Sequence, residues 1–313
     1  MFAAIFEIVF TLLKFIAFCA FGFLKAIIPL ALQRKKSVRN KVVLVTGAGH
    51  GIGREIALNF ARAGANLVLW DIDISGNEET ARLVEELNVK AYTYTCDVRK
   101  REIVYKVAED VKREVGHISV LVNNAGIVAG KYFLDVKDEE IIRTMEVNTM
   151  AHFWVTLKAF LPDMVRANEG HVVTIASILG ETGLAGVPEY TASKFAVRGL
   201  HDTILKEMHV IKSDVKCTVV CPYGVSSGMF EGIHTRFEFL LPFMTVEYVG
   251  KKTVQAVLTD TEVLYLPPHI QALVFLRTIL PTPALLELED VLNLNEAMKT
   301  FVGRNRGEMK KET

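Results

Sequence analysis

Seven short runs rich in Val, Ile, Leu and Tyr recur along most of the chain, and a stretch of helical length follows each one. Such strand–helix alternation is typical of a parallel sheet with helices on both faces. The predicted strands are residues 41–46, 66–71, 90–95, 118–123, 171–176, 216–221 and 262–267. We therefore predict an α/β fold, a doubly wound parallel sheet, in a single domain over residues 38–268.

The first 33 residues are almost continuously apolar and long enough to reach into a bilayer. Their charges at Glu7, Lys14 and Lys25 fall within about 20° of one another on a helical wheel. For residues 1–33 we predict a hydrophobic membrane-anchoring helix that lies in the interface or enters it obliquely. A spanning helix is the alternative. A cleaved signal peptide is disfavoured, because the start is not basic and Lys14 divides the apolar stretch.

The 36 basic and 36 acidic residues balance, so composition indicates no nucleic-acid partner. The basic cluster RKKSVRNK, residues 34–41, follows the apolar stretch and favours a cytosolic position for the rest of the chain. The cysteines have neither metal-ligand nor redox spacing, which indicates a reducing compartment and no metal site. They are Cys19, Cys96, Cys217 and Cys221.

A glycine-rich turn, TGAGHGIGR, follows the first predicted strand. Its glycines let the backbone approach a pyrophosphate at a helix N-terminus, although an ordinary strand-to-helix turn has similar glycines. They are Gly47, Gly51 and Gly53. The spacing G-x-G-x-x-G fails, because Ile52 occupies its last position. The second strand ends at Asp71, whose carboxylate can bind an adenosine ribose and repel a 2′-phosphate. This pattern favours NAD over NADP.

In the segment EYTASKF, Tyr190 precedes Lys194 by four residues, so the two side chains are neighbours on one helical face. An ammonium group beside a phenol stabilises the phenolate and lowers the pKa of the phenol. An isolated pair of this kind is more simply a surface Tyr and Lys. The remaining motifs must decide between these interpretations.

Six motifs in order together resemble the short-chain dehydrogenase/reductase family, and the resemblance covers nearly all of residues 41–267. The resemblance implies a single Rossmann-like catalytic domain, a nicotinamide cofactor and an enzyme that acts on CH–OH groups. The motifs are TGAGHGIG (46–53), CDV (96–98), NNAG (123–126), Asn148 in VNT, Ser177 in IAS, and YTASK (190–194).

The resemblance also implies a catalytic tetrad. Tyr190 takes the proton of the substrate hydroxyl, and Lys194 lowers the pKa of Tyr190 and holds the nicotinamide ribose. Ser177 hydrogen-bonds the substrate oxygen. Asn148 holds a water that connects Lys194 to solvent.

Further cofactor contacts are implied by the same resemblance. Asp97 meets the adenine, Asn123 and Gly126 line the cofactor groove, and Asn124 braces the neighbouring strand. After the sixth strand the chain reads CPYGVSSGMFEG, where many relatives have Pro-Gly. Val225 offers backbone groups to the carboxamide despite this insertion of a tyrosine.

The segment GMFEGIHTRFEFLLPFM, residues 228–244, predicts an apolar lid, which suits a lipophilic alcohol but would pack over other substrates too. The motifs LVLWDI, GNEETA, AHFW, KAFLP and GMFEG are similar to a membrane-associated branch of the family. That branch holds epidermal-type retinol dehydrogenases and lipid-droplet 17β-hydroxysteroid dehydrogenases. We predict NAD-dependent oxidation of all-trans-retinol to retinal.

Three other interpretations stay open. One is a 17β-hydroxysteroid or other lipid alcohol/ketone oxidoreductase. Another is a reductase that works in the opposite direction. A third is a membrane- or lipid-droplet-associated binding protein with vestigial activity. The complete tetrad favours an enzyme.

Residues 269–313 form a predicted C-terminal helical extension with a polar tail. We expect this extension to pack on the core, with membrane contact as the alternative. The final KKET, residues 310–313, resembles a dilysine retrieval signal, although chance lysines explain it equally well. We expect the protein to lie at the endoplasmic reticulum membrane, or at a lipid-droplet surface, with its catalytic domain facing the cytosol.

Helices near 137–167 and 188–211 form the dimer interface in many relatives, so a homodimer is expected.

Overall fold

The computed structural model describes residues 2–28, 32–233, 236–237, 239, 241–294 and 296–303. The chain divides into two compact units, Met1–Lys36 and Ser37–Thr313. The KKET sequence lies outside the described residues, as do four positions of the predicted apolar lid. These four are His234, Thr235, Glu238 and Leu240.

The described residues of the first unit contain one helix, α1, over Phe2–Ile27. Its large apolar side chains are exposed where the structure describes them, and the rings of Phe6 and Phe10 stack with centroids 6.4 Å apart. Within the described parts of the chain, no helix has the length and apolarity needed to cross a membrane. The helix itself is confirmed, whereas its anchoring role stays a prediction.

The second unit is built on a seven-stranded sheet in which every neighbouring pair is parallel. The strand order is β3-β2-β1-β4-β5-β6-β7, so the predicted doubly wound sheet is confirmed. Each strand lies within two residues of its predicted bounds. The strands are β1 Val42–Thr46, β2 Asn66–Asp71, β3 Ala91–Thr95, β4 Val120–Asn123, β5 His171–Ile175, β6 Lys216–Pro222 and β7 Val263–Leu266.

Helices connect the strands and cover both faces of the sheet. Two π-helical turns, Glu146–Met150 and Phe153–Phe160, join α5 to α6, and a 3₁₀ turn, Ile178–Gly180, follows β5. The helices are α2 Gly51–Arg62, α3 Ile74–Glu85, α4 Arg101–Glu114, α5 Asp138–Met145, α6 Leu161–Ala167, α7 Pro188–Val210, α8 Val246–Leu258, α9 Ile270–Ile279 and α10 Thr282–Val291.

The inner strands are buried on both faces, which explains why β1 and β2 are nearly continuous runs of Val and Leu. Leu44, Val68 and Leu121 pack in one cluster with α4, the 151–164 segment and α7. Helices α2 and α8 pack together on their own side of the sheet. The core therefore holds the strand ends rigidly at the carboxyl edge.

The C-terminal extension packs on the core, as expected. Ile270 at the start of α9 and Leu292 just after α10 belong to one cluster with Leu179, Tyr190 and Leu241. Because Tyr190 is a predicted catalytic residue, the extension lies at the substrate end of the predicted site.

Candidate active site

A cleft of about 480 Å³ runs along the carboxyl edge of the sheet. Its walls come from the ends of β1 to β6. The order of the sheet reverses between β1 and β4, and ligands of open α/β sheets bind outside the strand ends at such a point. The volume is typical of small-molecule sites.

The glycine-rich turn after β1 forms one wall of the cleft, and Gly47, Gly51, Ile52 and Gly53 all line it. Gly47 has φ +65°, a conformation that favours glycine. A side chain at Gly53 would place its Cβ 2.0 Å from the Gly47 carbonyl oxygen. The turn can therefore pass close to the first residues of α2 only without side chains, and it leaves the N-terminus of that helix open to the cleft.

Asp71 lies at the end of β2, and its carboxylate braces the glycine turn. Asp71 Oδ2 accepts a 2.7 Å hydrogen bond from Gly49 N, and Oδ1 accepts one of 3.0 Å from Asp73 N. Asp73 lines the cleft as well, and its Oδ2 lies 3.3 Å from His50 Nε2. Asp71 thus has a structural contact that sequence reasoning did not anticipate.

Asp97 lines the cleft one strand further along, after β3. Arg99 holds its carboxylate, with Nη2 2.7 Å from Oδ2 and Nε 2.9 Å from Oδ1. Burial raises the pKa of Asp97, but the hydrogen bonds from Arg99 outweigh this effect and lower it overall. Arg99 also lines the cleft. Its position two residues after Asp97 is the only feature of the sequence that could have predicted that it belongs to the site.

The two asparagines of the NNAG motif differ in position. Asn124 lines the cleft and braces β1, since its Nδ2 donates to the carbonyl oxygens of Thr46 and Gly47 at 3.0 Å each. Asn123 is buried at the end of β4, and the described lining of the cleft does not include it. Successive side chains in an extended segment point to opposite sides, so the two do not share one wall. The predicted cofactor contact of Asn123 stays a prediction.

Asn148 is fully buried in the π-helical turn Glu146–Met150. Its Oδ1 accepts from Ile127 N at 2.9 Å, and its Nδ2 donates to Ile127 O and to Ser193 Oγ, also at 2.9 Å. It therefore fastens the loop after β4 to α7. Gly126 separates Asn148 from Lys194: a Cβ there would lie 3.5 Å from Asn148 Oδ1 and 3.8 Å from Lys194 Nζ.

Ser177, Tyr190 and Lys194 all line the same end of the cleft. Ser177 caps the 3₁₀ turn Ile178–Gly180, and its Oγ accepts from Leu179 N at 3.1 Å. Lys194 Nζ donates to Ile175 O at 2.9 Å and lies 5.4 Å from the centroid of the Tyr190 ring. The structure thus brings together three of the four predicted tetrad side chains in one cavity, with Asn148 behind them.

Burial sets the proton affinities of this group. Burial raises the pKa of Tyr190 well above its usual value, and a hydrogen bond with the Ser177 side chain opposes this only partly. Burial also lowers the pKa of Lys194 to about 8. Desolvation is therefore the largest influence on the Tyr190 pKa, and the lowering of this pKa by Lys194 stays a prediction.

The Tyr insertion after β6 contributes to the site. Tyr223 N donates to Leu266 O at 2.7 Å, and the Tyr223 ring meets the Phe243 ring edge-on with centroids 6.2 Å apart. Val225 remains in the cleft lining and pairs with Met244 in a parallel bridge. The insertion therefore adds an aromatic wall without removing Val225 from the cleft.

A second cavity of about 130 Å³ adjoins the cleft, and Ser177, Tyr223 and Phe230 line both. Most of its other walls are aliphatic or aromatic side chains, and the polar exceptions are Thr182, Arg277 and Glu289. The C-terminal extension supplies much of this lining, which sequence reasoning had not assigned to the site. These residues include Leu273 and Val274 of α9, Leu285 and Leu288 of α10, and Leu292 and Leu294 beyond it.

The cleft fits a nicotinamide dinucleotide. A glycine turn without room for side chains stands at the N-terminus of α2, an acid lies at the end of β2, and a buried Tyr–Lys pair lies at the far end. Fold and cleft together define an oxidoreductase of the nicotinamide-dependent class.

Comparison with known proteins supports this assignment to the nicotinamide-dependent oxidoreductases. The family model described as short chain dehydrogenase matches residues 41–236. Human epidermal retinol dehydrogenase 2 is 44% identical over 289 residues, which cover 91% of this chain and 93% of that protein. Human retinol dehydrogenase 10 is 43% identical over 301 residues and covers 87% and 88% of the two chains.

A solved short chain dehydrogenase/reductase from Burkholderia phymatum in complex with NAD matches with a TM-score of 0.71 and 26% identity, covering 78% of this chain and 94% of that one. The chain belongs to the short-chain dehydrogenase/reductase family. It is an oxidoreductase that acts on CH–OH groups with a nicotinamide cofactor of the NAD type.

Proposed function

We propose that this enzyme oxidises a lipophilic alcohol with NAD, and that its substrate is all-trans-retinol, which it converts to retinal. The observation that carries this proposal is the apolar cavity that begins at Ser177. A substrate that fills it would place its one polar group, the hydroxyl, beside Ser177 and Tyr190. Two relatives more than 40% identical carry the name retinol dehydrogenase, which supports the retinoid as substrate.

A bound nicotinamide would accept the hydride from the alcohol carbon. Ser177 Oγ would donate a hydrogen bond to the substrate oxygen and hold it near the Tyr190 hydroxyl. Tyr190 would take the hydroxyl proton as general base. Lys194 would hold the nicotinamide ribose and favour the phenolate of Tyr190. Asn148 would keep the loop after β4 in place and hold a water next to Lys194.

The preference for NAD over NADP would come from the carboxylates at the adenosine end. Asp71 and Asp73 both line this part of the cleft. A 2′-phosphate there would meet two negative charges, and a repulsion of this kind is strong where solvent is partly excluded. Arg99 offers little compensation, because its guanidinium already pairs with Asp97. The other proposed cofactor contacts are Gly126, Val225 and Asn123, the last through the backbone.

We also propose that α1 holds the enzyme on the cytosolic face of the endoplasmic reticulum, or on a lipid droplet. The exposed apolar side chains of α1 would insert among lipid chains, while Glu7 and Lys14 stay at the head groups. Flotation of full-length protein with liposomes would test this. Protein that begins at Ser37 should not float, and equal flotation of the two would contradict the proposal.

A homodimer would bury the apolar side chains that α5 and α7 expose. Ile142 on α5 and Phe195 on α7 are 57% and 39% exposed, and these helices contact each other. Light scattering on detergent-solubilised protein should give twice the mass of one chain. Ile142→Asp should shift it to the mass of one chain, and an unchanged mass would exclude this face as the interface.

The functional test supplies membranes that contain the full-length enzyme with NAD and all-trans-retinol, and separately with a 17β-hydroxysteroid. We expect retinal, with far less product from NADP. Tyr190→Phe should lower the rate by about 10² to 10⁴-fold. Tyr92→Phe, which changes a tyrosine of β3 outside the cleft lining, is the matched control.

Each outcome has a separate meaning. Ketone from the steroid without retinal would assign the steroid as substrate. NAD binding without any product would contradict lipid-alcohol oxidation and favour a binding protein. Faster reduction of retinal with NADPH than oxidation of retinol with NAD would indicate a reductase.

A further inference from the structure

One largely buried carboxylate, Glu181, holds the turn that carries Ser177. Glu181 Oε1 accepts a 2.7 Å hydrogen bond from Arg198 Nε on α7 and one of 3.1 Å from the Tyr265 hydroxyl on β7. The Glu181 and Arg198 side chains are only 19% and 16% exposed. An ion pair so shielded from water is strongly disturbed when one partner is removed.

The same residue contacts the C-terminal extension. Arg277 on α9 donates from Nη1 to the backbone carbonyl of Glu181, and its guanidinium carbon lies 5.9 Å from the centroid of the Phe195 ring. Arg277 also lines the apolar cavity. Glu181 therefore connects α7, β7 and the α9 wall of the substrate cavity through its side chain and its carbonyl.

The turn between Ser177 and Glu181 packs directly on α7. Gly180 N donates to Ser177 O at 2.9 Å. A side chain at Gly180 would place its Cβ 2.8 Å from the backbone carbonyl oxygen of Lys194. The position of Ser177 relative to Lys194 thus depends on how closely this turn is held against α7.

We propose that Glu181 is a positioning residue for the reaction. It holds the 177–181 turn on α7, so that the Ser177 hydroxyl faces Tyr190, and it ties this geometry to the substrate-cavity wall formed by α9. Among the described residues, Glu181 lines neither the cleft nor the apolar cavity, so it acts through Ser177. The inference rests on the proposed role of Ser177 and not on the identity of the alcohol.

The first test is the full-length variant Glu181→Gln, which keeps the size of the side chain and removes its charge. Small displacements of catalytic groups cost large factors in rate, so we expect kcat to fall about tenfold or more. The KM for NAD should stay within about twofold, since the cofactor contacts are unchanged. Arg198 keeps Asp202 as a partner, which limits the loss of stability.

The matched control is Glu79→Gln on α3, which removes an ion pair with Arg82 at 2.8 Å on the exposed surface. Its kcat should equal that of the wild type. A similar kcat for Glu181→Gln, the control and the wild type would overturn the proposal.

A double mutant separates positioning from a general structural role. If Glu181 acts through Ser177, Glu181→Gln should lower kcat no further in a Ser177→Ala background. Additive effects of the two substitutions would overturn the proposal.

Hydrogen exchange gives a readout that needs no turnover. In Glu181→Gln, the backbone amides of residues 178–182 should exchange at least about tenfold faster than in wild type, because local opening becomes easier. The Glu79→Gln variant should show no change there. Equal protection in both variants would overturn the positioning role. A wild-type protein without product would instead contradict the proposed function, and the exchange result would still decide the role of Glu181.

Discussion

The cofactor cleft and the apolar cavity meet at Ser177 but are built in different ways. The cleft is formed by backbone turns and short polar side chains at strand ends, such as Gly53 and Asp71. The apolar cavity is formed by long side chains from segments far apart in the chain, including α9 and α10. A dinucleotide has fixed chemistry, so its cleft tolerates few residues at each position. An apolar wall needs only volume and shape, which many sequences provide.

The largest expected effect concerns the cofactor cleft, which is formed by backbone turns. Gly53→Ala would place a Cβ 2.0 Å from Gly47 O, so we expect a loss of about 3 kcal/mol in the free energy of unfolding and no NAD binding. Gly199→Ala on α7 is the control: apart from its chain neighbours and the adjacent backbone of its own helix, nothing lies within 4 Å of the added Cβ. This control should gain about 0.5–1 kcal/mol. Urea unfolding and NAD titration are measured for both variants. Similar free energies of unfolding for Gly53→Ala and Gly199→Ala would contradict the account.

The next prediction asks whether the cleft selects NAD independently of the cavity. Asp71→Asn removes one negative charge near the proposed 2′ position, and the ratio of kcat/KM for NADP to that for NAD should rise by at least about tenfold. The KM for retinol should not change. Asp135→Asn, in an exposed loop position, should leave the cofactor ratio as it is. If both variants keep the wild-type ratio, Asp71 does not set the preference.

Sequence patterns predicted the cofactor side much better than the substrate side. The β-rich runs and the glycine turn are local signals, and they located all seven strands and the cleft. The contact of Asp71 with Gly49 and the place of Asn123 required the actual path of the turn and strand. The lining by Leu285 could not be predicted, because it depends on how α10 folds back beside the turn after β5, more than a hundred residues earlier in the chain.

Two neighbouring leucines of α10 test the side-chain-built cavity. Leu285 lines the cavity, whereas Leu286 is 50% exposed and lies outside the described lining. Leu285→Trp should fill part of the cavity and lower kcat/KM for retinol about tenfold, a loss comparable to that from a misfitted hydrophobic group. Leu286→Trp should keep the wild-type value, and the KM for NAD should be unchanged in both. Equal kcat/KM for retinol in the two variants would show that retinol does not bind in the apolar cavity.

The last prediction concerns the pH dependence of stability and two buried histidines, His201 on α7 and His152 between the two π-helical turns. Burial lowers the pKa of His201 to about 4 and of His152 to about 3, so the folded protein keeps both neutral. Below the unfolded value of about 6.5 the unfolded chain binds protons that the folded chain does not. The free energy of unfolding should therefore fall by about 1.4 kcal/mol per pH unit for each histidine as the pH drops from about 6 to 4.

The variants His201→Asn and His209→Asn check the origin of this pH dependence. The first removes the buried imidazole, so urea unfolding should show a shallower decline with falling pH. The second changes an exposed residue of the same helix and should keep the wild-type slope. Identical slopes in the two variants would show that His201 does not contribute.

The most direct measurement compares kcat/KM of the full-length enzyme with NAD for all-trans-retinol and for allyl alcohol. The two share an allylic primary hydroxyl, so Ser177 and Tyr190 would meet the same reacting group, and only retinol would fill the apolar cavity. We predict a ratio above about 10³ in favour of retinol, since each buried CH₂ group contributes about 0.8 kcal/mol. A ratio near one would contradict the claim that this cavity selects a lipophilic alcohol.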